Sequence, residues 1–349
     1  MSDLEFVNTF KEVDPIATER VMSSGDTGSG KTRLIDTMPG MVGVLPLEPN
    51  SRTTLENRQI ISGQKSKLLI PKMNFMFLQD LPDKILTKEE FEAYYAGLCA
   101  EEDSNAAKQK RKPQYPDKKA QAMIMEEGAI QVYYHDLTQT IEAYVRGMVK
   151  RGIRSAAIDS GTELFDIYCL AHIGRRPRFG DKQADLSPIN ADMRRLLQQF
   201  SSRCNLLITH HEKAEWKTQP GSKTSLPTGE QIADGWKRIG YNMSIYVQHI
   251  WVTDQVKLDY IKHKHYRKDV KLGDYACCIM KAHGNHTLPK RKDGMGVLLN
   301  HEINFANLLM RVYPNRSLID DYGYTEQEVD DLIFNSEELW NEERERLSS

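Results

Sequence analysis

Residues 25–32 read Gly25-Asp26-Thr27-Gly28-Ser29-Gly30-Lys31-Thr32. A glycine, four residues and then Gly-Lys-Thr is the P-loop pattern. The residue types fit the chemistry. Glycines let the backbone wrap a phosphate and turn several N–H groups toward it. A helix starting just after the loop adds its positive end. Lys31 is placed to reach the β- and γ-phosphates, and the Thr32 hydroxyl to ligate Mg²⁺. The stretch therefore predicts ATP and Mg²⁺ as cofactors, with Gly25 to Thr32 as the binding residues.

Working outward, the segment entering the loop is ATERVMSS, in which only Val21 and Met22 are plainly apolar. A strand buried on both faces is normally apolar throughout, so a short strand is expected here. Downstream, RLIDTM predicts a short helix stopped by Pro39-Gly40. Three further apolar runs end in polar residues: 41–48 (MVGVLPLE), 153–160 (IRSAAIDS) and 204–211 (CNLLITHH). Short apolar strands ending in functional residues are what a parallel sheet presents at its carboxyl edge. Leu137, Ile141, Val145 and Met148 follow helical spacing, as do Ile189, Met193, Leu196 and Phe200, with Ser187 as the cap and Pro188 in the first turn. Strand–helix alternation predicts an α/β fold with a mostly parallel, twisted central sheet flanked by helices. Asp159 is then the acid that holds Mg²⁺, Glu48 the group that orients an attacking water, and His210 or His211 a sensor of the γ-phosphate.

GDTGSGKT, an acid ending the next strand (PLE), AIDS, and a polar residue ending LLITH, in that order, resemble the RecA-like ATPase core. MPGMVGVLPLE and AIDSGTELF look like the compact phage-type RecA-like NTP-binding proteins, which include single-strand-annealing recombinases. The resemblance covers roughly 20–60 and 150–285. It implies a catalytic glutamate at Glu48 and a polar sensor at His210 or His211 that leads into a DNA-binding loop. RecA itself has glutamine at the sensor position. Relatives often carry a late Lys-x-Arg or Lys-x-Lys pair acting on the neighbouring subunit's γ-phosphate; CCIMKAHGN offers Lys281, with His283 in the second place. The implied function is ATP hydrolysis coupled to single-stranded DNA in phage recombination or replication, in a ring or filament, alongside other phage replication or recombination proteins. Rival readings are a helicase or packaging motor, a P-loop small-molecule kinase, and a nucleotide-gated interaction or defence protein.

Two stretches suit a nucleic-acid strand. Arg175, Arg176 and Arg178 cluster with Phe179 after the Asp159 strand, and Lys213, Lys217 and Lys223 surround Trp216 after His211. Cations track phosphates and rings stack on bases. Residues 108–119 (KQKRKPQYPDKK) hold six basic groups against the single acid Asp117, and the end of the chain from Asp320 is acidic.

The whole chain of 349 residues carries a net charge of −2, which disfavours a general nucleic-acid coat protein and requires any DNA contact to be local. Apolar residues make up 40%, enough for a globular core. No apolar run is of spanning length, and the acidic MSDLEFVNTFKEVD lacks an apolar leader. Five irregularly spaced cysteines read as free thiols in a reducing compartment. A cytoplasmic location without membrane contact is expected, the host cytoplasm if the chain is phage-encoded. His263-x-His265 and His283-x-x-His286 lack a supporting ligand set, so no dedicated transition-metal site is expected. The organisation expected is 1–60 as P-loop and first part of the core, 61–150 as an inserted helical and charged segment, 151–285 as the second part of the core, and 286–349 as a C-terminal extension with an acidic tail.

Overall fold

The computed structural model describes residues 17–48, 68–69, 88–113, 118–175, 186–200, 204–218, 225–235, 239 and 243–348. Its centre is a sheet of β1 (Arg20–Gly25), β2 (Val42–Pro46), β3 (Leu68–Leu69), β4 (Ser155–Asp159), β5 (Asn205–His210), β8 (Ile245–Trp251), β9 (Tyr275–Ala282) and β10 (Val297–Leu299). Two strands, β6 (Glu212–Thr218) and β7 (Ser225–Ala233), pair antiparallel outside it. The central order is β10-β9-β8-β1-β5-β4-β2-β3. From β8 to β3 every pairing is parallel. Only β9 runs against its neighbours β8 and β10. The mostly parallel α/β architecture read from the sequence is what forms.

The apolar runs are continuous because both sheet faces are covered. On one face, Leu45, Ile158 and Ile208 pack against α3 (Lys118–Lys150), α4 (Gly161–Ile173) and α5 (Ser187–Gln198). Leu137, Ile141, Val145 and Met148 form the buried stripe of α3, as their spacing requires. On the other face, Val21, Val44 and Leu207 pack against α1 (Arg33–Asp36) and α7 (Phe305–Val312). Each such fully buried Leu, Ile or Val contributes about 1.5–3 kcal/mol. Cys277 and Cys278 fall on opposite faces of β9, and none of the five cysteines is in a disulfide.

Three local expectations change. Ser187 is the first residue of α5 rather than its cap; Leu186 takes that place and makes no side-chain cap hydrogen bond, with Pro188 still inside the first turn. The stretch after His211 is a strand pair rather than a loop: Glu212 pairs with Ala233 and Thr218 with Ser225. Pro227 and Gly229 fall within β7. Finally, β1 is buried from Val21 to Gly25 despite Ser23 and Ser24, and the Ser24 hydroxyl finds polar partners in Glu212 and Tyr246. The remaining helices are α2 (Lys88–Lys108), α6 (Gln255–Asp259), which widens into a turn at Tyr260–Lys264, α8 (Glu326–Val329) and α9 (Ser336–Ser348). No helix among the described residues is long and apolar enough to cross a membrane.

Candidate functional site

The strand order builds the site. β5 lies between β1 and β4, so the chain leaving β5 emerges between the P-loop and Asp159. Ser24 is in register with His210 on one side, and Gly25 with His249 of β8 on the other. Pro46 of β2 is opposite Asp159. The carboxyl ends of four parallel strands thus converge where a doubly wound sheet takes its ligand.

The P-loop turns tightly over β1. Gly28 and Gly30 hold φ of 78° and 93°, which only glycine adopts without strain. A Cβ on Gly25 would lie 2.5 Å from Ser29 Oγ and 2.6 Å from the His249 carbonyl oxygen. The Ser29 hydroxyl is buried with no well-aligned partner among the described residues. A backbone turn lined by an unsatisfied hydroxyl fits a phosphate group. The helix that follows is only four residues long, so the turn rather than a helix end makes the cradle.

Lys31 is 7% exposed, and its Nζ donates to the carbonyls of Gly25 at 2.6 Å and Asp26 at 2.9 Å. Burial lowers its pKa, and Glu48, Asp159, Glu212 and Asp26 oppose that shift. A single ammonium therefore sits in the field of four carboxylates. Thr32 follows, half-buried, at the start of α1.

Asp159 ends β4 at 4% exposure and accepts a hydrogen bond from the Thr209 hydroxyl of β5. Its peptide bond to Ser160 is cis, and Ser160 caps α4 by accepting from the Glu163 amide at 3.4 Å. The Asp159 carbonyl accepts from the amides of Leu47 at 2.6 Å and Glu48 at 3.2 Å. This pair of bonds ties Glu48 to the acid on the next strand. No group of three or more His, Cys, Asp or Glu side chains capable of holding a metal occurs among the described residues. Mg²⁺ bound with a nucleotide does not need such a group, since one carboxylate, a hydroxyl, phosphate oxygens and waters suffice; Asp159 and Thr32 are the residues that would hold it.

The two histidines separate. His210 is fully buried, its Nδ1 is 2.9 Å from the Asp234 carbonyl, and burial brings its pKa down to about 4. It is a neutral ring wedged against Gly161, where a Cβ would come within 2.6 Å of it. His211 points into the site, with Nε2 3.0 Å from Glu48 Oε1. The contact is an ion pair only when His211 is protonated. Glu48 raises the His211 pKa, against burial. Burial works against the Glu48 carboxylate, but His211, Ser160 and Lys31 together hold its pKa below the ordinary value. Of the two candidate sensors, His211 is the one that touches Glu48.

Several site residues carry no sequence signal of their own. Glu212, at the start of β6, accepts from the Ser24 hydroxyl at 2.6 Å, and Tyr246 Oη lies 2.9 Å from the same oxygen. Burial raises the Glu212 pKa, and burial takes Tyr246 to about 12. His249 is buried beneath the loop, and burial pushes its pKa to about 3, with Lys31 acting in the same direction. Glu212 was detectable only as the acid following His-His; the roles of Tyr246 and His249 depend on strand pairing.

The remaining expectations fall elsewhere. Lys281 lies in β9 opposite Tyr246 and donates to the Met243 carbonyl at 3.0 Å. Since β9 is antiparallel, this directs Lys281 toward the edge opposite the P-loop, away from its own chain's site. Arg175 is half-buried just beyond α4, and Lys213 is exposed and ion-paired with Asp234. Trp216 and Lys217 lie in β6. Arg176, Arg178 and Lys223 lie outside the described residues. In the basic run, Arg111 pairs with Glu102.

Comparison with known proteins returns no match, neither to a family model nor to a curated protein.

Proposed function

We propose that this chain is a RecA-like, Mg²⁺-dependent ATPase that couples its nucleotide state to single-stranded DNA. The observation that carries the reading is the convergence of Lys31, Asp159, Glu48 and His211 at one sheet edge, on the loop after β1 and the ends of β4, β2 and β5. Hydrolysis needs a phosphate cradle, a charge stabiliser and a group that orients water. The P-loop and Lys31 meet the first two needs. Glu48 meets the third, because the ionised form is favoured and its position is fixed through the Asp159 carbonyl. Bound Mg²⁺ would offset the repulsion between phosphates and the four carboxylates around Lys31. Water attack on the γ-phosphorus would form one P–O bond and break the bond to the β-phosphate oxygen, releasing ADP and phosphate.

Coupling to a strand is supported by the root of the β6–β7 hairpin. His211 touches Glu48, and the next residue, Glu212, holds Ser24 at the end of the P-loop strand. A change at the γ-phosphate position is thereby felt at the base of a hairpin bearing Lys213, Trp216 and Lys217. Lys281, directed away from its own P-loop, suits a role across a subunit interface in a ring or filament. The test is the steady-state ATPase rate with and without single-stranded DNA, with Lys31→Ala as control. Stimulation by DNA supports the full reading. Hydrolysis indifferent to DNA would retain the ATPase and remove the coupling.

A further inference from the structure

The P-loop accounts for phosphates and leaves the rest of a nucleotide without a seat. Beside it, on the β8–β9 side, three aromatic rings converge from distant parts of the chain. Trp251 ends β8 and Tyr275 begins β9, and the two are paired across the strands. Their rings stack, with centroids 5.8 Å apart and planes 11° apart. Trp340 of α9 meets Tyr275 edge-on at 6.1 Å and 77°. Arg33, the residue after the P-loop threonine, lies 4.3 Å over the Trp340 ring and donates from Nε to the Ile303 carbonyl at 3.0 Å.

The cluster abuts the phosphate cradle. The Tyr275 Cδ1 atom is 3.8 Å from where a Gly30 Cβ would stand. Lys257 of α6 lies 3.9 Å from the Asp26 carboxylate, bringing the segment after Trp251 over the loop's other side. Yet Trp251 is 45% exposed although its ring is already stacked on one face. Exposed tryptophan surface held flat by a neighbouring ring is an arrangement that favours a planar aromatic partner, since stacking recovers the area left to water. One planar partner is tied to this place: the base of a nucleotide whose phosphates lie on Gly28 to Lys31.

We propose that Trp251 and Tyr275, braced by Trp340, form the seat for the nucleobase, a purine, of the nucleoside triphosphate bound by the P-loop. Purines present the larger ring surface to a stacking platform. The inference rests on the nucleotide reading above and extends it to the base. Arg33 links the two halves: its backbone continues the phosphate loop, while its guanidinium holds Trp340 against Tyr275.

The experiment compares ATP with inorganic tripolyphosphate, both with Mg²⁺, by calorimetric titration of the full chain and its Trp251→Ala and Trp251→Phe variants. The expected result is that Trp251→Ala weakens ATP about tenfold, leaves tripolyphosphate unchanged, and is largely rescued by Trp251→Phe. An ATP-to-tripolyphosphate affinity ratio unchanged by Trp251→Ala would overturn the base seat while leaving the phosphate site standing. Equal weakening of both ligands would also overturn it, by assigning Trp251 to the support of the loop. If neither ligand binds the natural chain, or Lys31→Ala binds both as well as the natural chain does, the phosphate site itself fails and the base seat with it.

Discussion

His211 Nε2 stands 3.0 Å from Glu48 Oε1, joining the end of β5 to the turn after β2 across the strand that carries Asp159. The pair makes a pH prediction. Glu48 raises the His211 pKa above the ordinary 6.5, so this group's contribution to stability is complete below 6.5 and is lost as pH rises through the folded value. The Glu48 pKa is held below the ordinary 4.5, so its contribution is present above 4.5 and is lost as pH falls through the folded value. The pair therefore contributes fully between pH 4.5 and 6.5 and weakens on either side, through Glu48 in acid and through His211 in alkali. Imidazole titration by NMR should find His211 above its ordinary value, and Glu48→Gln should bring it down. An unshifted His211 in the natural chain would contradict the pairing.

Two glycine substitutions should part company. Gly25→Ala forces a Cβ to within 2.5 Å of Ser29 Oγ and 2.6 Å of the His249 backbone, so the loop must shift. We expect a loss of about 1–3 kcal/mol in stability and of nucleotide binding. Gly147→Ala, on an exposed position of α3 with nothing within 4 Å, should be neutral or stabilising by up to about 1 kcal/mol. Chemical denaturation of both variants checks the contrast.

Glu212→Ala removes the acceptor of the Ser24 hydroxyl in a largely buried setting. Tyr246 Oη, 2.9 Å away, remains as a partner, so the loss is that of one hydrogen bond to a charged acceptor, about 1.5–3 kcal/mol. Glu212→Gln keeps an acceptor oxygen and should lose less. Comparing the melting temperatures of the two variants tests the bond, and equal losses would show that the contact with Ser24 is not what matters.

The site was legible where its residues are contiguous or end an apolar run. Gly25 to Thr32 carries its own spacing, and SAAID and NLLITH are apolar because both sheet faces are covered. The choice between His210 and His211 was not legible. In a strand successive side chains alternate, but which one meets Glu48 depends on β5 inserting between β1 and β4. Ser24 and Tyr246 are 222 residues apart, and Trp251 and Tyr275 meet through antiparallel pairing; no local pattern announces either. Pro and Gly signal turns, so the stretch after His211 has the sequence of a loop, whereas β7 carries Pro227 and Gly229 within its span.

If the hairpin tracks a DNA strand, Lys213→Glu combined with Lys217→Glu should weaken binding and flatten its salt dependence. Two lost phosphate contacts lower the slope of log affinity against log salt by about 1.4 for a single strand. Titrations at several salt concentrations measure it. An unchanged slope would exclude both lysines from the strand contact.

The most direct measurement is single-turnover hydrolysis of Mg²⁺-ATP at saturating enzyme by the natural chain and by Glu48→Gln, with ATP affinity determined on the same preparations. The account predicts that the variant binds ATP with near-natural affinity and cleaves it at least about a hundredfold more slowly, because the charge that orients water is gone while Lys31 and the loop remain. Cleavage by Glu48→Gln at the natural rate, or a natural chain that does not bind ATP, would contradict it.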